Sequence, residues 1–359
     1  MEYPSVSVIL PVRNEGRYIR AVLDAILRQD YPGEKMEILV VDGMSTDGTR
    51  ELVRAYSSEL SGSGTGRPSV KLLDNPNRIV PSAMNCGIRA ARGEVIVRID
   101  GHTVVEPTYV SGSIEGLIRT GADCVGGVIE SVGSSYVSRG IATAMSSPFG
   151  VGGSAFRIVS HGSAPRDVDT VPFGTFRREV FDRVGLFNEH LVCHEDYELN
   201  YRIRAAGGRL TLLPCIKSVY YVRSGVAPFI RQYWQYGLWK GRFLRTHPRS
   251  LRLRHCVPPL FVLGLAFSSL LALWPSVGAL PLLGLVLAYC AFLALASADA
   301  AWRGRGPYAP LLWLFLPILH LSWGTGVLYG LALPRVGAPP RDLAPASQES
   351  TQPQGGRPA

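Results

Sequence analysis

The chain has 359 residues, of which 47% are hydrophobic and 18% charged, and it carries a net charge of +9. That length allows about two ordinary domains, and that apolar content excludes wholesale disorder. The positive balance suits nucleic acid, anionic lipid or a phosphorylated ligand. Its placement favours lipid: Lys240, Arg242, Arg245, Arg249, Arg252 and Arg254 form an acid-free run abutting an apolar region from Cys256 to Leu333. The six cysteines form no CxxC pair, which excludes a zinc knuckle or dithiol redox motif and fits buried thiols in a reducing compartment.

In chain order, Val6–Val12 (VSVILPV) is an apolar β-rich run and predicts a buried strand, with no signal peptide before it. Asn14 is a candidate cap for a helix whose apolar positions, Ile19, Val22, Leu23, Ile26 and Leu27, have helical spacing. A second strand, Glu37–Val41, ends at Asp42. A turn from Gly43 to Gly48 leads into a helix through Tyr56, and the Ser/Gly-rich stretch Ser57–Ser69 predicts a loop. Val70–Leu73 is a third strand, Pro81–Arg92 a helix with proline in its first turn, and Glu94–Ile99 a fourth strand ending at Asp100.

Strands that alternate with helices predict a parallel α/β sheet of βαβ units, with ligands outside the carboxyl ends of the strands. Asp42 and Asp100 sit at two such ends, where they either hold a nucleotide and its metal or cap the following turns. Neither GxGxxG nor GxxxxGK[ST] occurs, which excludes a dehydrogenase fingerprint and a P-loop.

The ordered segments SVILPVRNEGRYI, VVDGMSTDGT, RIDGHT and HEDYELNYRIRAAG resemble the motifs of family 2 glycosyltransferases over about the first 245 residues. NPNRIVPSAMNCGIRAARGEVIVRIDGH and DTVPFGTFRREVFDRVGLFNE resemble the branch of succinoglycan-type exopolysaccharide enzymes. The resemblance implies a GT-A fold, Rossmann-like, in which Pro11, Arg13, Glu15 and Asp42 meet the nucleoside of a UDP-sugar. A carboxylate at Asp42 can accept the uracil imide N–H. Asp100 and His102 occupy the family's DxD position, which implies a divalent cation, Mn²⁺ or Mg²⁺. Histidine in place of the second aspartate can ligate a metal or be a turn residue bonded to backbone. Asp196 matches the catalytic base of an inverting transfer, with Glu195 beside it. The same pair also suits the N-terminus of the helix that follows. Gly174 and Thr175 match an acceptor-side segment. Gln235 and Trp239 partly match a QxxRW motif in which Leu238 replaces arginine, which argues against a processive polymerase.

Arg231–Arg245 mixes aromatics with basic residues and reads as an interfacial segment or a core-packing helix. Three apolar stretches follow, Val257–Trp274, Gly278–Ala298 and Ala309–Leu333, each near the length of a membrane span; the first two, separated closely by Pro275 and Gly278, form a tight hairpin or a shallow re-entrant pair. His320 is a polar residue in the third, suited to function or to helix–helix bonding. Arg249, Arg252, Arg254, Arg303 and Arg305 place the catalytic domain in the cytoplasm, in a multi-pass inner-membrane protein, and the tail Pro334–Ala359 outside and disordered.

The expected division is therefore a catalytic domain over 1–226, an interfacial segment over 227–255, spans over 256–333 and a tail over 334–359. The expected function is transfer of a hexose from a UDP-sugar to a lipid-linked saccharide at a membrane, with no nucleic acid involved. The alternatives are a polyprenyl-phosphate sugar synthase and a non-catalytic scaffold.

Overall fold

The computed structural model describes residues 3–61, 66–159, 162–222, 225–274, 276 and 278–337. Strands β1 (Val6–Val12) and β2 (Met36–Asp42) are buried along their whole length, as central strands covered on both faces must be. Between them, α1 (Ile19–Leu27) buries Ile19, Val22, Leu23 and Ile26, the face its spacing predicts. Asn14 does not cap this helix. It adopts a left-handed conformation (φ 56°), and its side-chain oxygen accepts the N–H of Thr46 instead. Helix α2 (Thr49–Ser61) runs past Tyr56 into the expected loop, because Leu60 continues the buried face of Val53 and Tyr56. Residues 62–65 of that loop lie outside the described residues. Then follow β3 (Ser69–Asp74), α3 (Val80–Ala90), β4 (Val95–Arg98), α4 (Tyr109–Thr120) and β5 (Cys124–Val132).

A cluster of short elements comes next: α5 (Tyr136–Met145), α6 (Pro148–Val151), α7 (Ala155–Ile158), β6 (Arg166–Asp167), β7 (Thr175–Arg177) and α8 (Glu179–Val184). Helix α9 (Glu195–Ala205) and β8 (Leu210–Tyr221) complete the sheet, whose order is β3-β2-β1-β4-β7-β5-β8-β6. The βαβ reading holds for the first half, where β1 is flanked in parallel by β2 and β4. It fails beyond β4: β7 is antiparallel to both β4 and β5 and lies between them. A three-residue strand carries too short a pattern to be seen in sequence. The chain steps outward from β1 to β2 and β3 and then crosses back to β4 on the other side of β1, so the crevice for a ligand opens at the carboxyl ends of β1 and β4.

The C-terminal helices are α10 (Val226–Thr246), α11 (Leu253–Leu271), α12 (Leu280–Ala300) and α13 (Leu312–Ala332). Two helical stretches among the described residues are long and apolar enough to cross a membrane: Leu253–Leu271 and Leu280–Ala332. The second bends at Gly304 (φ 77°), which divides α12 from α13. On α11 and α12 the side chains of Leu260, Leu263, Phe267, Leu283, Leu287 and Leu295 are exposed. A soluble protein rarely leaves such a surface uncovered.

Helix α13 behaves differently from the expected third span. At its start Leu311 and Phe315 pack on Gly140 of α5, and at its end Arg245 of α10 donates to the carbonyls of Leu331 and Leu333. Along its length it lies on α10 through glycines on both helices. A Cβ at Gly237 or Gly241 would fall 2.1 and 2.3 Å from the carbonyl oxygens of Trp323 and Val327. One at Gly326 or Gly330 would fall 2.3 and 2.1 Å from those of Trp234 and Leu238. This small-residue packing brings two backbones together over two turns. His320 bonds helices: its Nε2–H donates to the Phe149 carbonyl (2.9 Å) and its Nδ1 accepts from Tyr289 (2.8 Å).

One expectation changes in consequence. The start of the tail is not loose, since Val336 is buried and the Gly337 carbonyl accepts from Asn188 (2.8 Å) of the catalytic domain. Residues 338–359 of the tail, and Pro275, lie outside the described residues.

Candidate active site

At the first carboxyl end the loops after β1 and β2 are tied together. The N–H groups of Asn14, Glu15 and Gly16 donate to Ser45, Thr49 and Asp47 at 2.8, 2.9 and 2.9 Å. Gly16 is required for this approach, because a Cβ there would lie 2.8 Å from the Asp47 carbonyl oxygen. Asp42 is fully buried behind these loops. Its Oδ2 accepts from Ser45 N–H (2.9 Å) and Arg50 (2.7 Å), while its Oδ1 is buried with no protein partner. Pro11 is buried beneath and Arg13 is exposed, its side chain against Gly43. Glu15 turns the other way, with its Oε1 3.1 Å from Nδ1 of His102. That bond raises the His102 pKa against the opposing effect of burial.

The second carboxyl end is organised by Arg98, the last residue of β4, whose side chain is only 4% exposed. It donates to Asp100 (2.8 Å), Glu195 (3.2 Å) and Asp196 (2.5 Å), and its guanidinium faces the Phe173 ring. A buried cation with three carboxylates is a paired site, not an isolated charge. Sequence reasoning missed Arg98, although an arginine inside the buried run EVIVRI is itself a signal that carboxylates must meet it. Burial, reinforced by Glu195 and Asp100 and opposed by Arg98, pushes the Asp196 carboxyl above the usual carboxylate range. His194 holds the start of α9 in a left-handed conformation (φ 65°) and donates Nε2–H to the Tyr236 carbonyl of α10 (2.8 Å). Burial and then Lys240 push its pKa down to about 4, so it is neutral at pH 7.

One cavity of about 1060 Å³ joins these groups. Asp100, His102, Glu195 and Asp196 line one end, and side chains of α10, α11, α12 and α13 line the other. Several expected acceptor-side residues are not on its wall. Gly174 and Thr175 are buried in the sheet, where a Cβ on Gly174 would meet the Phe176 ring at 2.4 Å; neighbouring Phe173 lines the cavity instead. Gln235 is exposed and Trp239 stacks with Arg242 on another face of α10. The face turned to the cavity carries Gln232, Tyr236 and Lys240, at the four-residue interval of one helical stripe. The partial QxxRW match falls on the helix that lines the cavity, but Gln235 and Trp239 are not among the lining residues.

No group of three or more potential ligands is present among the described residues, so the protein alone does not enclose a cation. Asp100 and His102 nevertheless fit one that completes its shell with donor phosphates, as Mg²⁺ and Mn²⁺ commonly do. Both line the cavity, and Glu15 holds His102 through Nδ1, leaving Nε2 free of protein partners among the described residues.

The sheet order and the placement of the site at the β1/β4 crevice are those of a GT-A nucleotide-sugar transferase. The chain belongs to glycosyl transferase family 2, whose family model matches residues 7–185, and it is a glycosyltransferase. It is 31% identical over 324 residues to the succinoglycan biosynthesis protein ExoA of Rhizobium meliloti (strain 1021), covering 89% of this chain and 92% of that one. It is also 31% identical over 246 residues to a dolichyl N-acetyl-alpha-D-glucosaminyl phosphate 3-beta-D-2,3-diacetamido-2,3-dideoxy-beta-D-glucuronosyltransferase of Methanococcus voltae, covering 67% and 74% of the two chains. The mannosyltransferase PcManGT from Pyrobaculum calidifontis, solved with GDP-Man and Mn²⁺, shares the fold with a TM-score of 0.56, 22% identity and 87% coverage of each chain.

Proposed function

We propose that this glycosyltransferase moves a hexose from a UDP-sugar, with inversion, to a hydroxyl of a lipid-linked saccharide during assembly of a cell-surface or exported polysaccharide. The observation that carries this reading is the continuity of one cavity from Asp100 and Asp196 to the apolar C-terminal helices. The names of the relatives support it: one acts in succinoglycan biosynthesis and the other on a dolichyl-linked sugar phosphate.

In this reading the nucleoside sits over the tied β1 and β2 loops, with Asp42 Oδ1 accepting an imide N–H that no protein group supplies. Asp100 and His102 would hold a divalent cation, whose charge would offset that of the donor phosphates. Asp196 keeps Oδ1 on Arg98 and offers Oδ2 to the acceptor hydroxyl, whose proton it takes. Its raised pKa suits that work, because a base near the operating pH transfers protons best. The bond from His194 to Tyr236 fixes α9 against the helix that lines the acceptor side.

The membrane reading follows from the exposed apolar faces. Helices α11 and α12 form a hairpin that enters the membrane from the cytoplasmic face of the inner membrane, with Arg252, Arg254, Arg303 and Arg305 at its base. With α13 held along the catalytic domain, the hairpin makes two passes and the tail stays on the cytoplasmic side. Cysteine at Ser276, in the hairpin turn, should react in intact cells with an impermeant thiol reagent, and cysteine at Gly337 should not. Labelling of Gly337→Cys would restore three passes.

The activity is tested with purified full-length protein in detergent, a divalent cation, labelled UDP-hexoses and a membrane lipid extract. Label should move to the lipid phase with release of UDP. Transfer from GDP-hexoses alone would overturn the uridine donor, and no transfer from either would overturn the reading.

A further inference from the structure

The cavity wall also carries three basic side chains, Lys240, Arg157 and Arg254, that the transfer chemistry does not use. Lys240, on α10, is 2% exposed, lines the cavity, and has no carboxylate or hydrogen-bond partner among the described residues. Its ammonium lies 3.3 Å from the centre of the Tyr197 ring, one residue beyond Asp196, so it stands at the start of α9. Arg157, on α7, also lines the cavity. It stacks over Tyr220 and donates to Ser131 (3.3 Å), with no carboxylate partner among the described residues. Arg254 completes the group; Asp169 is its ion-pair partner. Burial and then Arg254 push the Lys240 pKa down to about 6, so the unliganded amine is largely neutral at pH 7 and an anion bound beside it would favour its protonated form. Phe261 of α11, Leu285, Ala288 and Phe292 of α12, and Leu319 and Trp323 of α13 give the same cavity an apolar wall.

We infer that Lys240, Arg157 and Arg254 bind the phosphate or diphosphate of the acceptor's single-chain lipid carrier, with the chain lying between α11, α12 and α13 and the saccharide directed toward Asp196. The inference deepens the reading above and rests on it. Charge complementarity selects the head: a dianion placed here gives Arg157 the counter-ion it lacks among the described residues and favours the protonated form of Lys240. Continuity selects the carrier over an ordinary bilayer lipid, because only a ligand that extends from the phosphate toward Asp196 fills the polar end as well as the apolar one. The arrangement also separates two anions of like chemistry. The donor diphosphate belongs at Asp100 and His102, the carrier phosphate at Lys240, on opposite sides of Asp196.

The test uses the full chain in detergent and three probes: farnesyl diphosphate, farnesol and inorganic diphosphate. Binding is read from the fluorescence of Trp323, with Trp323→Phe as the assignment control, and from the thermal midpoint. UDP binding is measured on every sample, so that loss of the fold or of the donor site is seen separately. Farnesyl diphosphate should bind at least tenfold more tightly than either fragment. Lys240→Gln should weaken it at least tenfold while UDP affinity holds, and Ala288→Phe, which adds bulk to the apolar wall, should weaken farnesyl diphosphate but not inorganic diphosphate. Equal binding of farnesol, unchanged affinity in Lys240→Gln, or full displacement by dioleoyl phosphatidylglycerol would each overturn the inference. Failure of UDP to bind the unmodified protein would instead count against the transferase reading beneath it.

Discussion

The two ends of the cavity are built in opposite ways. The donor end hangs on the carboxyl ends of parallel strands, and its loops are locked by short backbone-to-side-chain bonds from Asn14, Glu15 and Gly16. The acceptor end is assembled from helix termini and helix faces that reach it from distant parts of the chain: α9, α10 and the C-terminal helices. Arg98 is the joint, since one buried guanidinium holds Asp100 on the donor side and Glu195 and Asp196 on the acceptor side. The difference teaches that binding of the donor is local and rigid, whereas transfer depends on long-range packing that sets one helix start against the sheet.

The largest effect is expected where the two ends meet. Arg98→Met leaves three carboxylates without their buried cation. It should cost about 3–5 kcal/mol of stability and remove transfer, as read by chemical denaturation and an activity assay. A variant that unfolds at the wild-type midpoint would show that the joint is not structural. Asp42→Asn tests the donor end alone. It keeps an acceptor for Ser45 but weakens the charge that Arg50 and a base N–H share. Nucleotide affinity should therefore fall about tenfold to a hundredfold in a calorimetric titration, the usual worth of a hydrogen bond to a charged group. The smallest effect belongs to the acceptor scaffold. Gly241→Leu forces α10 away from the Val327 carbonyl of α13 and should cost about 1–3 kcal/mol. Its mark is a lowered thermal midpoint with nucleotide affinity unchanged; a fall in nucleotide affinity would show that the ends are not separate.

The same contrast decides what was legible in the sequence. Pro11, Arg13 and Glu15 were singled out by the family resemblance, whereas the positions of Asp42 and Asp100 at strand ends were readable because each is contiguous with its buried strand. The fold was readable as far as β4 for the same reason. Beyond it, β7 pairs through three residues and its antiparallel insertion depends on the Phe176, Phe181 and Phe187 cluster, which no local period announces. Which face of α10 meets the cavity was not legible, because its helical phase is set by Gly237 and Gly241 against α13, a contact made across a long stretch of chain. Counting apolar runs found α13; its packing on α5 and α10, which distinguishes it from α11 and α12, is not contained in hydropathy.

The central claim is that donor binding and transfer reside in separate groups joined through Arg98, with Asp196 as the base. Asp196→Asn tests it most directly, in one paired measurement of nucleotide affinity and initial transfer rate across pH. Asparagine retains an oxygen for Arg98, so nucleotide affinity should stay at the wild-type value. Transfer should fall by about two to four orders of magnitude, the usual worth of a general base. In the unmodified enzyme the base works only when ionised, so transfer should rise with pH through a limb above the ordinary carboxylate value, because burial raises the Asp196 pKa. That limb should vanish in the variant. Normal nucleotide binding together with near wild-type transfer and an unchanged pH limb would contradict the account and remove Asp196 from the chemistry.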